Sequence, residues 1–163
     1  MSDLVPARPA VLGPSLAGVG DLHVVFRVAE AEYALPVAIV VQMESFSQPT
    51  SVPGGAPFLA GIMPIRGRVV PVIDLRVRFG LPEAGPTTTL ESIVGQLGER
   101  TVALLADSAR EVIRIPADAL SPPPAMMGQG VSSFVKVVAQ LGKRMILVLD
   151  FAKVIGEESI DAT

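Results

Sequence analysis

Apolar residues fall in short runs along this chain, and Gly or Pro cuts nearly every run. Leu22, Val24, Phe26 and Val28 alternate with His23 and Arg27, the two-residue period of a strand with one buried face. A turn at 29–32 leads into Tyr33-Ala34-Leu35-Pro36 and a strand-like run from Val37 to Met43. Residues 49–57, with Gly54 and Gly55 between prolines, read as a loop. The segment Gly61-Ile62-Met63-Pro64-Ile65-Arg66-Gly67-Arg68-Val69-Val70-Pro71-Val72-Ile73-Asp74-Leu75 reads as two short apolar strands folded back at Arg66-Gly67, with an acidic stop. Further strands are expected at 90–96, 100–106, 111–115, 131–140 and 143–149. Turns at Leu97-Gly98 and Leu141-Gly142, and a loop from Ser121-Pro122-Pro123-Pro124 to Gly130, separate them. No stretch sustains a 3.6-residue period. Many short strands joined by tight turns predict an all-β protein of small barrels with short helical turns.

A weak internal repeat points to two barrels. Asp74-Leu75-Arg76-Val77-Arg78-Phe79-Gly80 and Asp150-Phe151-Ala152-Lys153-Val154-Ile155-Gly156 share one layout, and each follows an apolar strand that opens on a basic residue, Arg68 or Arg144. In each, Asp caps a single helical turn, an apolar pair spaced i, i+4 packs inward, and Gly closes it. The polar, turn-rich stretch 82–89 is the expected internal boundary. The organisation read from sequence is a disordered Pro/Ala/Gly-rich tail (1–20), a first barrel half (21–84), a second (85–156) and a C-terminal tail (157–163).

Composition narrows the function. Half of the residues are hydrophobic and only 18% are charged, so apolar surface is expected, of the kind that meets protein partners. The net charge is −3, with 13 basic and 16 acidic residues well mixed. One Tyr, six Phe and no basic stripe argue against nucleic acid. Without cysteine there is no disulfide framework or thiol chemistry, which suits the cytosol. The longest apolar runs, such as 35–41, fall far short of the roughly 18 residues that cross a bilayer, so no direct membrane insertion is expected.

Candidate catalytic groups do not assemble. Asp74, Asp107 and Asp150 each end an apolar strand, but capping explains Asp74 and Asp150 without a metal, and no metal or cofactor is expected. Leu104-Leu105-Ala106-Asp107-Ser108-Ala109 distantly resembles an aspartic-protease loop, yet Ala109 stands where that loop needs Gly and no second copy exists. His23 is the only histidine and lies in an alternating strand with no serine elbow to serve. Gly18-Val19-Gly20 lacks the third Gly of a dinucleotide loop. What remains is Arg66, a cation at a hairpin tip, which suits recognition better than bond-breaking.

The chain resembles the CheW family, adaptors that couple bacterial chemoreceptors to the histidine kinase CheA. The resemblance spans about Leu22 to Ile155. Gly61 to Leu75 is similar to the family motif G-x-I-N-L-R-G-x-x-x-P-V-I-D-L, and Pro57-Phe58-Leu59-Ala60-Gly61 to its lead-in. Leu104-Leu105-Ala106-Asp107-Ser108, Glu111-Val112, Phe134-Val135-Lys136 and Ile146-Leu147-Val148-Leu149-Asp150 match later blocks in order. The resemblance implies two five-stranded SH3-like β-barrels and no enzymatic activity. It implies a cytoplasmic adaptor, associated with receptor arrays at the inner membrane, that bridges a chemoreceptor's cytoplasmic hairpin tip and the regulatory domain of a CheA-like kinase. Gly61, Arg66 and Gly67 correspond to receptor-binding positions, and Val41, Gln42 and Met43 are expected beside them. The kinase-contact residues are not placed by it. Three departures stand out: Pro64 replaces the motif's Asn, Gln42 a common Glu, and Val137 a common Gly. They leave open a divergent scaffold that self-associates or binds only kinase regulatory domains.

Overall fold

Turn chemistry sets the strand lengths. In the computed structural model, which describes residues 20–45, 47–82, 90–124 and 129–156, eleven short strands, three single-turn α-helices and one 3-10 turn (Ala117–Ala119) follow one another. They are β1 (Asp21–Val28), β2 (Ala31–Pro36), β3 (Val40–Ser45), β4 (Leu59–Ile65), β5 (Arg68–Asp74), α1 (Leu75–Phe79), β6 (Glu91–Leu97) and β7 (Arg100–Ala106). Then come β8 (Ser108–Ile115), β9 (Leu120–Ser121), α2 (Gln129–Ser132), β10 (Val135–Leu141), β11 (Arg144–Leu149) and α3 (Phe151–Ile155). Residues 1–19 of the expected N-terminal tail (1–20), the C-terminal tail 157–163, and residues 83–89 of the polar stretch lie outside the described residues.

The strands form two sheets, ordered β8-β1-β2-β11-β10-β9 and β3-β6-β7-β5-β4. The second has the five strands the sequence implies, and the first adds the two-residue β9 at its edge. Neighbours run antiparallel except β2 with β11 and β5 with β7. Residues 40–106 build the second sheet as one continuous segment. The first takes β1 and β2 from one flank and β8 to β11 from the other, joined by the parallel β2–β11 pairing. The polar stretch 82–89 therefore connects α1 to β6 within a single sheet.

The repeat is carried far beyond the two helical turns. Asp74 Oδ1 accepts the Arg76 N–H at 3.0 Å and Asp150 Oδ1 the Lys153 N–H at 3.3 Å, so both carboxylates cap their turns. Leu75 and Phe79 are buried beneath α1, Phe151 and Ile155 beneath α3. The Asp74 and Asp150 amides donate to the carbonyls of Phe58 and Phe134, at 2.9 and 2.8 Å, each just ahead of a strand bulge. The β6–β7 hairpin mirrors β1–β2, and β3 mirrors β8, each edge strand with its bulge at the same place.

Alternation then divides the core. Met63, Val72, Val94 and Ala103 pack into one buried cluster on the second sheet, and Val25, Ala34, Ile146 and Val148 into another on the first. A larger cluster joins both sheets through residues such as Phe26, Leu35, Leu104, Leu149 and Phe151. Gly95 of β6 makes room there: a Cβ would sit 2.6 Å from the Phe151 ring.

Local boundaries shift from expectation where tertiary contacts win. Val37 to Ile39 form a turn, closed by the Ile39 and Val40 amides donating to the Pro36 and Val37 carbonyls, rather than extending β3. Residues 129–132 form α2, so β10 starts at Val135. The strand expected at 111–115 begins at Ser108, where it pairs with Arg27 of β1.

Candidate functional site

The β4–β5 hairpin closes through Arg66 and Gly67, both at positive φ, +54° and +78°. That combination belongs to the tight turn whose twist matches paired strands, and it normally selects Asn-Gly. Arginine in this left-handed conformation is strained, because its Cβ crowds the backbone. The tip thus presents a cation at a position where turn geometry alone would favour a smaller residue. Arg66 is exposed and makes no hydrogen bond or ion pair among the described residues. A Cβ at Gly67 would meet nothing within 4 Å, so glycine serves the turn alone there.

Gly61 does a different job. It is buried at φ +151°, and a Cβ on it would lie 2.2 Å from the Thr50 carbonyl oxygen. That close approach lets Thr50 and Ile62 exchange backbone hydrogen bonds at 2.8 and 2.9 Å, pinning the 49–57 loop onto β4. Pro64 is exposed and lies on β4, an edge strand, where a missing amide is tolerated.

The other expected residues lie on β3, the opposite edge strand. Val41 is half-buried and packs against the second sheet's own core, together with Ala60 of β4. The two edges therefore curl toward a shared interior. Met43 is exposed, at 43%. Gln42 is half-buried, and its Nε2 donates to Glu44 Oε1 at 3.2 Å. The structure thus presents Arg66, Gly67 and Met43 outward, holds Gln42 at the rim, and turns Gly61 and Val41 inward.

The residues weighed for chemistry are engaged elsewhere. Asp107 takes Arg76 through two contacts, Nε at 3.1 Å and Nη2 at 2.7 Å, and also accepts the Ala29 N–H at 2.7 Å. Hydrogen bonding to Asp107 raises the pKa of Arg76. His23 sits in β1 with Nδ1 3.0 Å from the Asp21 carbonyl oxygen, and burial lowers its pKa. It borders a cavity of about 350 Å³ walled by residues such as Pro36, Ile39, Leu97, Lys136 and Phe151, with no serine, threonine or cysteine in the lining. Among the described residues no three His, Asp or Glu come together as a metal set.

Sequence reasoning missed two neighbours of Arg66. Arg68 and Val69, at positions the motif leaves unspecified, are both exposed, Val69 at 70%. The one available signal was the match of Arg68 to Arg144 in the repeat.

Comparison with known proteins converges on one family. The family model described as CheW-like domain matches residues 22–159. The chain is 31% identical over 140 residues to the chemotaxis protein CheW of Bacillus subtilis (strain 168), covering 86% of this chain and 90% of that protein. It is also 31% identical over 134 residues to protein FrzA of Myxococcus xanthus, covering 80% and 82%. The crystal structure of the scaffolding protein TtCheW from Thermoanaerobacter tengcongensis superimposes with a TM-score of 0.78 at 28% identity, covering 86% of this chain and 95% of that one.

Proposed function

This chain belongs to the CheW-like domain family, and on that premise we propose that it is a non-catalytic scaffold coupling a methyl-accepting chemoreceptor to a CheA-like histidine kinase. The observation that carries the reading is Arg66: an exposed guanidinium with no hydrogen bond or ion pair among the described residues, carried by a residue at positive φ on the β4–β5 hairpin, inside the segment that matches the family motif. A cation carried on a defined turn steers an acidic partner to one orientation. Gly67 shapes that tip, Gly61 anchors the loop behind it, and Met43, Gln42 and Val41 furnish the adjoining edge. The kinase regulatory domain would take a separate surface.

The chain would act in the cytoplasm, held at the inner membrane through its receptors. No helix among the described residues is long and apolar enough to cross a membrane. The departures fit the fold: Pro64 stands on an edge strand, and Val137 packs against the first sheet's core.

The test is a two-bait pull-down, with a receptor cytoplasmic hairpin and a kinase regulatory domain from the same cell. The wild-type chain is expected to capture both, and Arg66→Glu to lose the receptor bait while keeping the kinase bait and its melting temperature. Full receptor capture by a folded Arg66→Glu variant would refute the role given to this residue.

A further inference from the structure

The two copies of the internal repeat hold the same arginine in different company. Arg144 opens β11 as Arg68 opens β5. The Arg144 guanidinium meets Glu32 Oε1 at 3.1 Å and Glu111 Oε2 at 2.6 Å. Hydrogen bonding to both carboxylates raises its pKa.

The register shows what replaces those carboxylates in the other copy. Ala34 lies opposite Val148 in the first sheet as Ala103 lies opposite Val72 in the second, so Thr101 stands where Glu32 stands. Val25 pairs with Glu111 beside a bulge as Val94 pairs with Gln42 beside a bulge, so Gln42 stands where Glu111 stands. Both acidic positions are neutral in this copy, while the arginine is retained. Arg68 accordingly makes no hydrogen bond or ion pair among the described residues. Arg66 is equally free two residues away, Val69 beside Arg68 is 70% exposed, and Pro64, paired with Val69 across the hairpin, is exposed too.

We propose that the partner supplies the missing carboxylates: Arg68 and Arg66 together dock an acidic face of the receptor's cytoplasmic hairpin. This rests on the receptor-adaptor reading and adds to it Arg68, a residue that the family motif leaves unspecified. The molecule itself shows the chemistry, since the equivalent arginine binds two carboxylates from two different strands. A planar guanidinium suits that task better than a point charge. The charges also sit on a protein of net charge −3, so they form a local basic spot that would orient an acidic partner without attracting polyanions generally.

The experiment is calorimetric titration of the full chain with a receptor cytoplasmic-hairpin fragment and, separately, a kinase regulatory domain. Arg68→Glu is expected to weaken receptor binding about tenfold or more, because like charges then face each other, and to leave kinase binding unchanged. Thr101→Glu, which offers Arg68 the internal carboxylate that Arg144 already has, should weaken receptor binding severalfold. Added salt should erode wild-type receptor affinity more steeply than that of Arg68→Glu. Melting curves check each fold, and Arg68→Gln replaces Arg68→Glu if reversal disturbs it. Unchanged receptor affinity in folded Arg68 variants overturns the inference while the adaptor reading stands. So does a loss confined to the kinase domain or to self-association. A wild-type chain that binds neither probe refutes both.

Discussion

Arg78 ties the two sheets together, and its removal should uncouple them. It projects from α1 of the second sheet to α3 of the first, donating from Nε to the Val154 carbonyl at 2.8 Å and from Nη2 to the Lys153 carbonyl at 3.2 Å. Its guanidinium lies 3.9 Å from the Phe58 ring centroid and 4.8 Å from that of Phe134. Those two phenylalanines are equivalent residues of the repeat, so one arginine is clamped by both copies. Hydrogen bonds from a charged donor contribute about 1.5–3 kcal/mol each, and each cation–π contact about 0.5–1 kcal/mol. Burial lowers the Arg78 pKa, and that desolvation offsets part of the gain. A net loss of about 3 kcal/mol for Arg78→Ala follows, a large share of the 5–15 kcal/mol typical of a domain. It corresponds to roughly 6–12 °C in melting temperature for a chain of this size. Urea unfolding followed by far-UV circular dichroism measures the loss. Hydrogen exchange should place the loosening at α3, the helix whose last carbonyls Arg78 holds. Arg78→Lys should recover less than half, since an ammonium cannot reach two carbonyls and stack between two rings at once. A loss below about 1 kcal/mol, or unchanged protection of residues 151–156, would refute the clamp.

Two further perturbations test the scaffold around the candidate site. Gly61→Ala should destabilise the fold by about 3 kcal/mol, combining a left-handed backbone with a methyl driven into the Thr50 carbonyl; a loss under about 1 kcal/mol in urea unfolding would contradict the close approach. His23 has its pKa lowered by burial from the ordinary 6.5, so the unfolded chain takes up the proton first as pH falls. Stability should therefore decline on acidification through about 6.5 and level off once the folded form is protonated too. His23→Gln should flatten that slope, and because the chain has one histidine, an unaltered slope would disprove the assignment.

Much of this architecture was legible locally. The hairpin showed in Arg66-Gly67 between apolar runs, and the two helical turns in the Asp and Gly that bracket them. Apolar alternation marked most strands because one face of each meets a core. Pairing between distant strands left no such trace. Nothing around Tyr33 announces that β2 will lie parallel to β11, so the sequence division at 84/85 and the grouping of strands into sheets follow different lines. Arg78 was hidden for the same reason: its partners Phe58, Phe134, Lys153 and Val154 converge only through the fold. Exposure of Arg68 and Val69 was invisible too, since a β-strand alternates faces and a one-residue shift in register exchanges them.

The distribution of charge partners explains why the carboxylates are poor candidates for function and the hairpin cations good ones. Asp74, Asp107 and Asp150 first invite a metal or protease reading, yet each is occupied by the backbone. Asp74 and Asp150 cap helical turns. Asp107 supports a strained hairpin: Ala29 has φ +56° where the equivalent turn of the other copy carries Gly98 at φ +62°. The Asp107 carboxylate holds the Ala29 amide and is itself fixed by Arg76, so a residue unsuited to that conformation is kept in it by a buried-edge ion pair. Strain at Ala29 thus has an internal support that accounts for it fully. Arg66 has no such side-chain support: among the described residues it makes no hydrogen bond or ion pair, and only the pairing of β4 with β5 holds it at positive φ. A conformation that costs the fold something, without a side-chain contact to support it, is where a contact from outside is to be sought, and that is the contact proposed above for Arg66 and Arg68.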